Sequence, residues 1–419
     1  MMTGCQRTYH SYMINGVGLD TFFQSSSNKP GASTPAIRIA TLGIAVGLAV
    51  MLITQSVVSG FQHEVSRKVE GMASHIEIMD LRSLGSPENF PIHATPRFLK
   101  AIDSVPAVAH VQRIATKMGI LKTEDDFLAI NLKGIGPDYD TTFLHSAITE
   151  GRLPHDNEIL ISARQAKALR LKTTDKVFAY FFEDDIHTRR YTISGIYDTH
   201  MTLFDQGTVF APFNAVATLN PWGTDNPDAC CCIEVRLQDI KQIPHAQPPL
   251  QQIAQHHTAK AAQAVSVEEH YPQVFSWLNL LDVNMMLILI LMVAVAGITM
   301  VSGLLILILE RTQTIGVLKA LGATNRQVRH TFLHFAALII VRGMAWGNIA
   351  ALALILAQQQ WGLIHLNPDT YYVDTVPAEL HLLPFIIINL ATLALTLIAL
   401  ILPSHIVSRI QPAKAIRFE

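Results

Sequence analysis

The chain has 419 residues, half of them hydrophobic and 15% charged, with a formal net charge of −2. This is more apolar than a soluble globular chain usually is, and near-neutral charge without a basic, aromatic-interleaved segment excludes a nucleic-acid partner. Residues 59–280 hold 20 Lys and Arg against 26 Asp and Glu, while the rest of the chain holds 11 against 7. Short basic flanks are retained in the cytoplasm and a long domain is translocated whatever its charge, so both termini are expected to be cytoplasmic and the acidic middle outside.

Residues 1–36 read as a polar cytoplasmic lead-in. Ile37 to Val58, whose one charge is Arg38, is long enough to cross a hydrocarbon layer of about 30 Å and predicts transmembrane helix 1 over 37–58. The run exceeds a usual signal-peptide core and no A-x-A site follows, so it reads as an uncleaved anchor. Residues 59–280 mix short alternating runs (SHIEIM, VFAYFF, RYTISGIY) with helical patches (PRFLKAIDSV, ISARQAKALRLK), which predicts an α+β extracytoplasmic domain. Met285 to Leu309 is uncharged throughout and predicts helix 2 over 285–309. A cytoplasmic segment over 310–330 follows, then helix 3 over 332–357, an external loop over 358–382, helix 4 over 385–402 and a cytoplasmic tail over 403–419. The cytoplasmic segments carry Arg311, Lys319, Arg326 and Arg329, and Arg409, Lys414 and Arg417. The loop between helices 3 and 4 has no Lys or Arg, but has Asp369, Asp374 and Glu379, so all segments agree on one topology. The fold class expected is an α-helical membrane protein of four transmembrane helices with a large mixed α+β extracytoplasmic domain.

The most informative cytoplasmic segment is ERTQTIGVLKALGA, with Glu310, Arg311, Ile315, Gly316, Leu318, Lys319, Leu321 and Gly322 as candidate coupling residues. Ile315, Leu318 and Gly322 share one helical face edged by Lys319, an apolar knob suited to a partner's groove. Gly43 with Gly47 and Gly343 with Gly347 are small-xxx-small pairs that allow close helix approach. Met51, Met285, Met286 and Met292 place flexible side chains along helices 1 and 2 and are candidates to line a lipid cavity. Arg342 falls inside the third apolar stretch and is expected to snorkel to the headgroups. Cys5 and the run Cys230 to Cys232 lack zinc-ligand spacing and receive no function, and 18 scattered histidines suggest no metal site. No G-x-S-x-G elbow, H-E-x-x-H helix or GxxxxGK[ST] phosphate loop occurs, so the chain is expected to be non-catalytic and any ATPase to be a separate polypeptide.

Four blocks carry a resemblance: IRIATLGIAVGLAVMLITQSVVSGFQHEV through helix 1, SHIEI opening the external domain, ERTQTIGVLKALGATNRQVRHTFL after helix 2, and the terminal RIQPAKAIRFE. Together they resemble the FtsX-like permeases and, within them, the lipoprotein-releasing (LolC/LolE-like) permeases. The resemblance implies half of a type VII ABC transporter, with a MacB-like periplasmic core of Porter and Sabre parts, in the cell inner membrane. It implies an ABC ATPase that binds ATP and Mg, a second permease that is a copy or a paralogue, lipoprotein cargo, membrane lipid and a periplasmic carrier. This chain itself would hold no cofactor. The carrier-hook stretch would be FFEDDIHTRRY over 181–191, where the expected proline is missing and Glu183, Asp184, Asp185, Arg189 and Arg190 read equally as a solvated turn. Two alternatives stand beside this reading: a signalling scaffold that activates a cell-wall hydrolase, and a MacB-like drug or peptide efflux permease. MacB-like permeases carry their ATPase at the N-terminus, which the 36-residue lead-in disfavours, and division-type FtsX proteins have a smaller external domain.

Overall fold

The computed structural model describes residues 33–84, 86, 90–182, 186–223, 226–258, 261–310, 312 and 324–400. Four long helices, α1 (Ser33–Ala73), α2 (Pro272–Glu310), α3 (Asn325–Trp361) and α4 (Leu382–Ala399), each contain a stretch long and apolar enough to cross a membrane. By internal contacts the chain divides into two units, Met1–Val58 with Asp282–Gln360 and Ala378–Glu419, and Ser59–Leu281 with Trp361–Pro377.

Two helices are longer than their apolar runs. α1 continues past Val58 to Ala73, because Val65, Val69 and Met72 recur at helical spacing and are buried, so a new apolar stripe takes over where the membrane-type run stops. At 41 residues and 1.5 Å per residue it is about 60 Å long, roughly twice the hydrocarbon thickness. It ends at Ser74, which takes a left-handed φ of 65° and donates its N–H to the Glu70 carbonyl. α2 begins at Pro272, a favourable first position, and its early turns bury Val274, Phe275 and Leu278.

Within the helical unit, Ala40, Ile44, Met300, Leu304, Ala336 and Ile340 form one buried cluster and Leu48, Met51, Leu52, Ala351 and Ile388 another. A polar clasp joins α3 to α4. The Asn348 amide donates to Asn389 Oδ1 at 2.8 Å and the Asn389 amide returns a bond to Asn348 Oδ1 at 3.1 Å, which satisfies both side chains where water is scarce.

The second unit is built on strands β1 (Ile76–Asp80), β2 (Ile92–His93), β3 (Val108–Lys122), β4 (Phe127–Ile135), β5 (Ile148–Gly151), β6 (Glu158–Ser162), β7 (Lys176–Phe182), β8 (Ile186–Tyr197), β9 (Thr208–Pro212), β10 (Ala229–Cys230), β11 (Cys232–Leu237) and β12 (Ala262–Ser266). Ten of them make one sheet in the order β12-β1-β11-β3-β4-β9-β6-β8-β5, with β7 bonded to both β3 and β8. That double pairing closes a ring, β3-β4-β9-β6-β8-β7, while β12-β1-β11 extends from β3 as an antiparallel wing. Helices Pro96–Asp103 and Ile243–His257 pack on each other, the first also on β3 and the second on β12 and β1. Thr95 caps the first of them by accepting from the Phe98 N–H.

The segment after α3 differs from the simple external loop that its composition suggests. Trp361–Pro377 packs into the sheet-bearing unit, where Val373 is 3% exposed, Lys68 Nζ donates to the Tyr372 carbonyl at 2.9 Å, and the His200 ring lies 3.3 Å from both Asp198 and Asp374. Its apolar residues Leu366, Tyr372 and Val373, spaced between polar ones, join the core.

Candidate functional site

Of the predicted coupling residues, Glu310 is the last residue of α2, and Arg311, Ile315, Gly316, Leu318, Lys319, Leu321 and Gly322 lie outside the described residues. The glycine pairs fall at two helix contacts. A methyl group at Gly343 would come within 3.1 Å of the Thr41 carbonyl oxygen, and one at Gly347 within 2.7 Å of the Ala45 carbonyl oxygen, so α3 approaches the backbone of α1 there. At Gly43 a methyl group would lie 2.5 Å from Thr299 Cγ2 on α2, whereas at Gly47 it would sit 3.7 Å from Ala296 Cβ, an ordinary contact. The four methionines separate: Met51 is buried among Leu48, Leu52 and Ala351 and faces no open surface within the chain, because its helix face is already covered. Met285 and Met292 are half-buried and Met286 is exposed. Only 11% of the apolar stretch of α2 is buried, against 44% for α1, so among the described residues α2 has the least covered apolar stretch of the four helices. Arg342 is exposed on a helix that continues on both sides of it.

In the sheet-bearing unit, Phe182 at the end of β7 pairs with Ile186 at the start of β8, and residues 183–185 lie outside the described ones. Phe178, Phe182 and Ile186 are exposed, as is Phe127 on β4. The three adjacent cysteines are buried and free: Cys230 ends β10, Cys232 opens β11, and Cys231 between them accepts the Thr116 N–H at its sulfur. Burial pushes all three thiols up, which suppresses the reactive thiolate.

Sequence reading missed a charged network on the ten-stranded sheet. Glu77 of β1 stands directly opposite Glu234 of β11, an arrangement of like charges that disfavours the pairing unless cations intervene. Lys133 of β4 supplies one: its Nζ donates to Glu234 Oε1 at 2.6 Å and to the Met72 carbonyl at 2.7 Å. Gln112 donates to the other Glu234 oxygen at 2.6 Å, and His270 Nδ1 lies 3.1 Å from Glu77 Oε2. Burial opposes the Lys133 charge, but the adjacent Glu234 more than offsets it and holds the ammonium charged beyond its usual range. Burial pushes the Glu234 carboxyl up against the pull of Lys133, and the hydrogen bond to Glu77 raises His270. Glu77, Lys133, Glu234 and His270 line a cavity of about 440 Å³.

Comparison with known proteins decides the family. The sequence model for the MacB-like periplasmic core domain matches residues 39–253, half of the chain, and that for the FtsX-like permease C-terminal region matches 286–412. The chain is an FtsX-like permease with a MacB-like periplasmic core domain. The permease is 23% identical to the lipoprotein-releasing system transmembrane protein LolC of Xylella fastidiosa over 90% of this chain and 92% of that one. It is 21% identical to LolE of Haemophilus influenzae over 90% of this chain and 93% of that one. Among solved structures, the periplasmic region of MacB from Actinobacillus actinomycetemcomitans matches 49% of the permease and 95% of its own chain, at 14% identity and a TM-score of 0.35. The first match begins inside α1 and closes within the helix Ile243–His257, and the second takes in α2, α3 and α4.

Proposed function

We propose that this permease is one membrane subunit of an ABC-type machine that extracts lipoproteins from the inner membrane and passes them toward the outer membrane. The observation that carries the reading is the match to lipoprotein-releasing proteins along nine-tenths of the chain, helices and external domain together. The sequence has no phosphate-loop motif, so ATP and Mg belong to a partner ATPase and this chain does no chemistry of its own. The ATPase docks on Glu310 to Gly322 from the cytoplasm, where both termini lie. Its closure displaces that segment as a rigid body, and α2 and α3, which flank it in sequence, carry the displacement outward. The uncovered face of α2, with Met285, Met286 and Met292, then meets a second permease, a copy or a paralogue, and the acyl chains of the cargo between them. A carrier outside the membrane receives the lipoprotein.

Depleting the protein in cells tests this directly. Lipoproteins destined for the outer membrane should accumulate in the inner membrane, and unchanged sorting would overturn the reading. Gly316→Asp or Leu318→Asp should abolish co-purification of the ATPase while leaving the external domain folded by circular dichroism; retained complex and transport would remove the docking assignment.

A further inference from the structure

The cavity beside the charged network lies wholly within the sheet-bearing unit and belongs to no step of lipoprotein extraction described above. Its floor is the sheet face that carries Glu77, Met79, Cys232 and Glu234, because alternate residues of a strand share a face and Ile76, Ile78, Ile233 and Val235 take the other. Glu77 is 8% exposed and Glu234 is 2% exposed, yet both carboxylates border open space. A folding role alone does not account for them, since a well-packed apolar pair serves stability as well as or better than buried charge.

The two carboxylates have different partners. Both oxygens of Glu234 accept hydrogen bonds, from Lys133 and Gln112. Glu77 has His270 Nδ1 at 3.1 Å from its Oε2. The lining also includes Glu269, whose Oε2 already accepts from the Ser266 N–H and the Gln247 amide, so among the described residues three glutamates stand against one lysine and one histidine. With His270 neutral the lining is therefore two negative charges in excess, and with it protonated one. An anion is repelled by that balance and a cation is drawn in. The remaining wall mixes apolar side chains, among them Met72, Ile114 and Met118, with polar ones such as Thr116 and Asn131, and the rings of Phe204 and Tyr271 meet edge to face at 5.5 Å. Aromatic faces and polarizable thioethers suit an organic cation rather than a bare metal ion, and the volume falls in the range of small-molecule sites.

We propose that this cavity is a binding site for an organic amine with an apolar body, its ammonium seated against Glu77 and its hydrocarbon part against the methionines and the Phe204 and Tyr271 rings. A free arylalkylamine offers this chemistry. The full-length permease with its ATPase is placed in nanodiscs of phosphatidylcholine alone, and binding of 4-phenylbutylamine is measured by calorimetry beside its acid counterpart, 4-phenylbutyrate. The amine is expected to bind and the acid not to. Glu77→Gln, which keeps the acceptor for His270 but removes the charge, should weaken the amine by roughly tenfold or more. Met118→Trp, at an exposed lining position, should block it without touching either carboxylate. No binding to the wild type, equal binding of amine and acid, or full affinity in both variants would overturn the site. Should Glu77→Gln not fold, Met118→Trp and the amine-to-acid comparison decide. Lipoprotein sorting in cells is a separate readout, so failure here leaves the transport reading standing.

Discussion

Lys133 and Glu234 are 101 residues apart in sequence and 2.6 Å apart in space, a pairing that no local pattern announces. Removing one partner leaves the other charge buried, so Lys133→Met is expected to cost about 3–5 kcal/mol, while Lys133→Met with Glu234→Leu costs much less. Thermal unfolding of the single and double variants checks this, and a double variant as unstable as the single one would contradict it. Two further residues set a pH response. Asp205 is buried and its carboxyl is pushed up to about 6, chiefly by burial and also by Asp198, against hydrogen bonds from Thr199 that pull it down. An acid raised in the fold binds more protons folded than unfolded, so stability through Asp205 rises as pH falls through about 6 toward the unfolded value. His270, raised by Glu77 and facing Glu234 and Lys133, contributes stability that is fully present below the unfolded histidine pKa and lost as pH rises through its folded value. Both groups act in the same direction. The sheet-bearing unit should melt higher at pH 5.5 than at pH 8, and Asp205→Asn should flatten the lower part of that rise; a profile falling from pH 8 to pH 5.5 would refute the assignment.

At the scale of the element, the helix contacts make a sharper prediction than the glycine motifs do. Gly347→Ala places a methyl group 2.7 Å from a backbone oxygen of α1 and should destabilise the α1-α3 contact by about 1–3 kcal/mol. Gly47→Ala makes only a normal contact with Ala296 and should be near neutral. Thermal aggregation of the two variants in detergent separates them, and similar midpoints would count against the packing described. The sequence showed that Gly43, Gly47, Gly343 and Gly347 permit close approach but not which helices meet, since spacing within one helix says nothing of its neighbour. Apolar runs were legible as spans because length alone identifies them. The continuation of α1 to Ala73 was not, because Val65, Val69 and Met72 are diluted by His63, Glu64, Arg67, Lys68 and Glu70 on the same stretch. Asn348 and Asn389 went unremarked for a related reason: each is one amide in an apolar run, and only their meeting makes them a clasp. The coupling segment was read from motif and periodicity, and the cavity beside Glu77 was invisible because β1, β4, β11 and the helix Val267–His270 converge on it from distant parts of the chain.

At the scale of the molecule, two separately clustered units with separate buried cores imply two unfolding events. Helices in detergent keep their backbone bonds satisfied internally, so urea should remove the β-sheet signal first and leave the helical signal largely intact. A single coincident transition by circular dichroism and by tryptophan fluorescence would exclude independent cores. Within the sheet-bearing unit, closure of β3-β4-β9-β6-β8-β7 has a mechanical meaning. In an open sheet a strand pulled along its axis slides by breaking one ladder at a time from a free edge, but in a ring every strand is held on both sides, and slippage must break two ladders together. A pull on one member is shared around the circuit. The circuit is only as strong as its shortest joint, and β6 meets β9 through one registered pair, Leu160 with Phe210, while β3 meets β4 through nine. Load applied to this ring would be passed on intact until it reached that seam, and there it would give first.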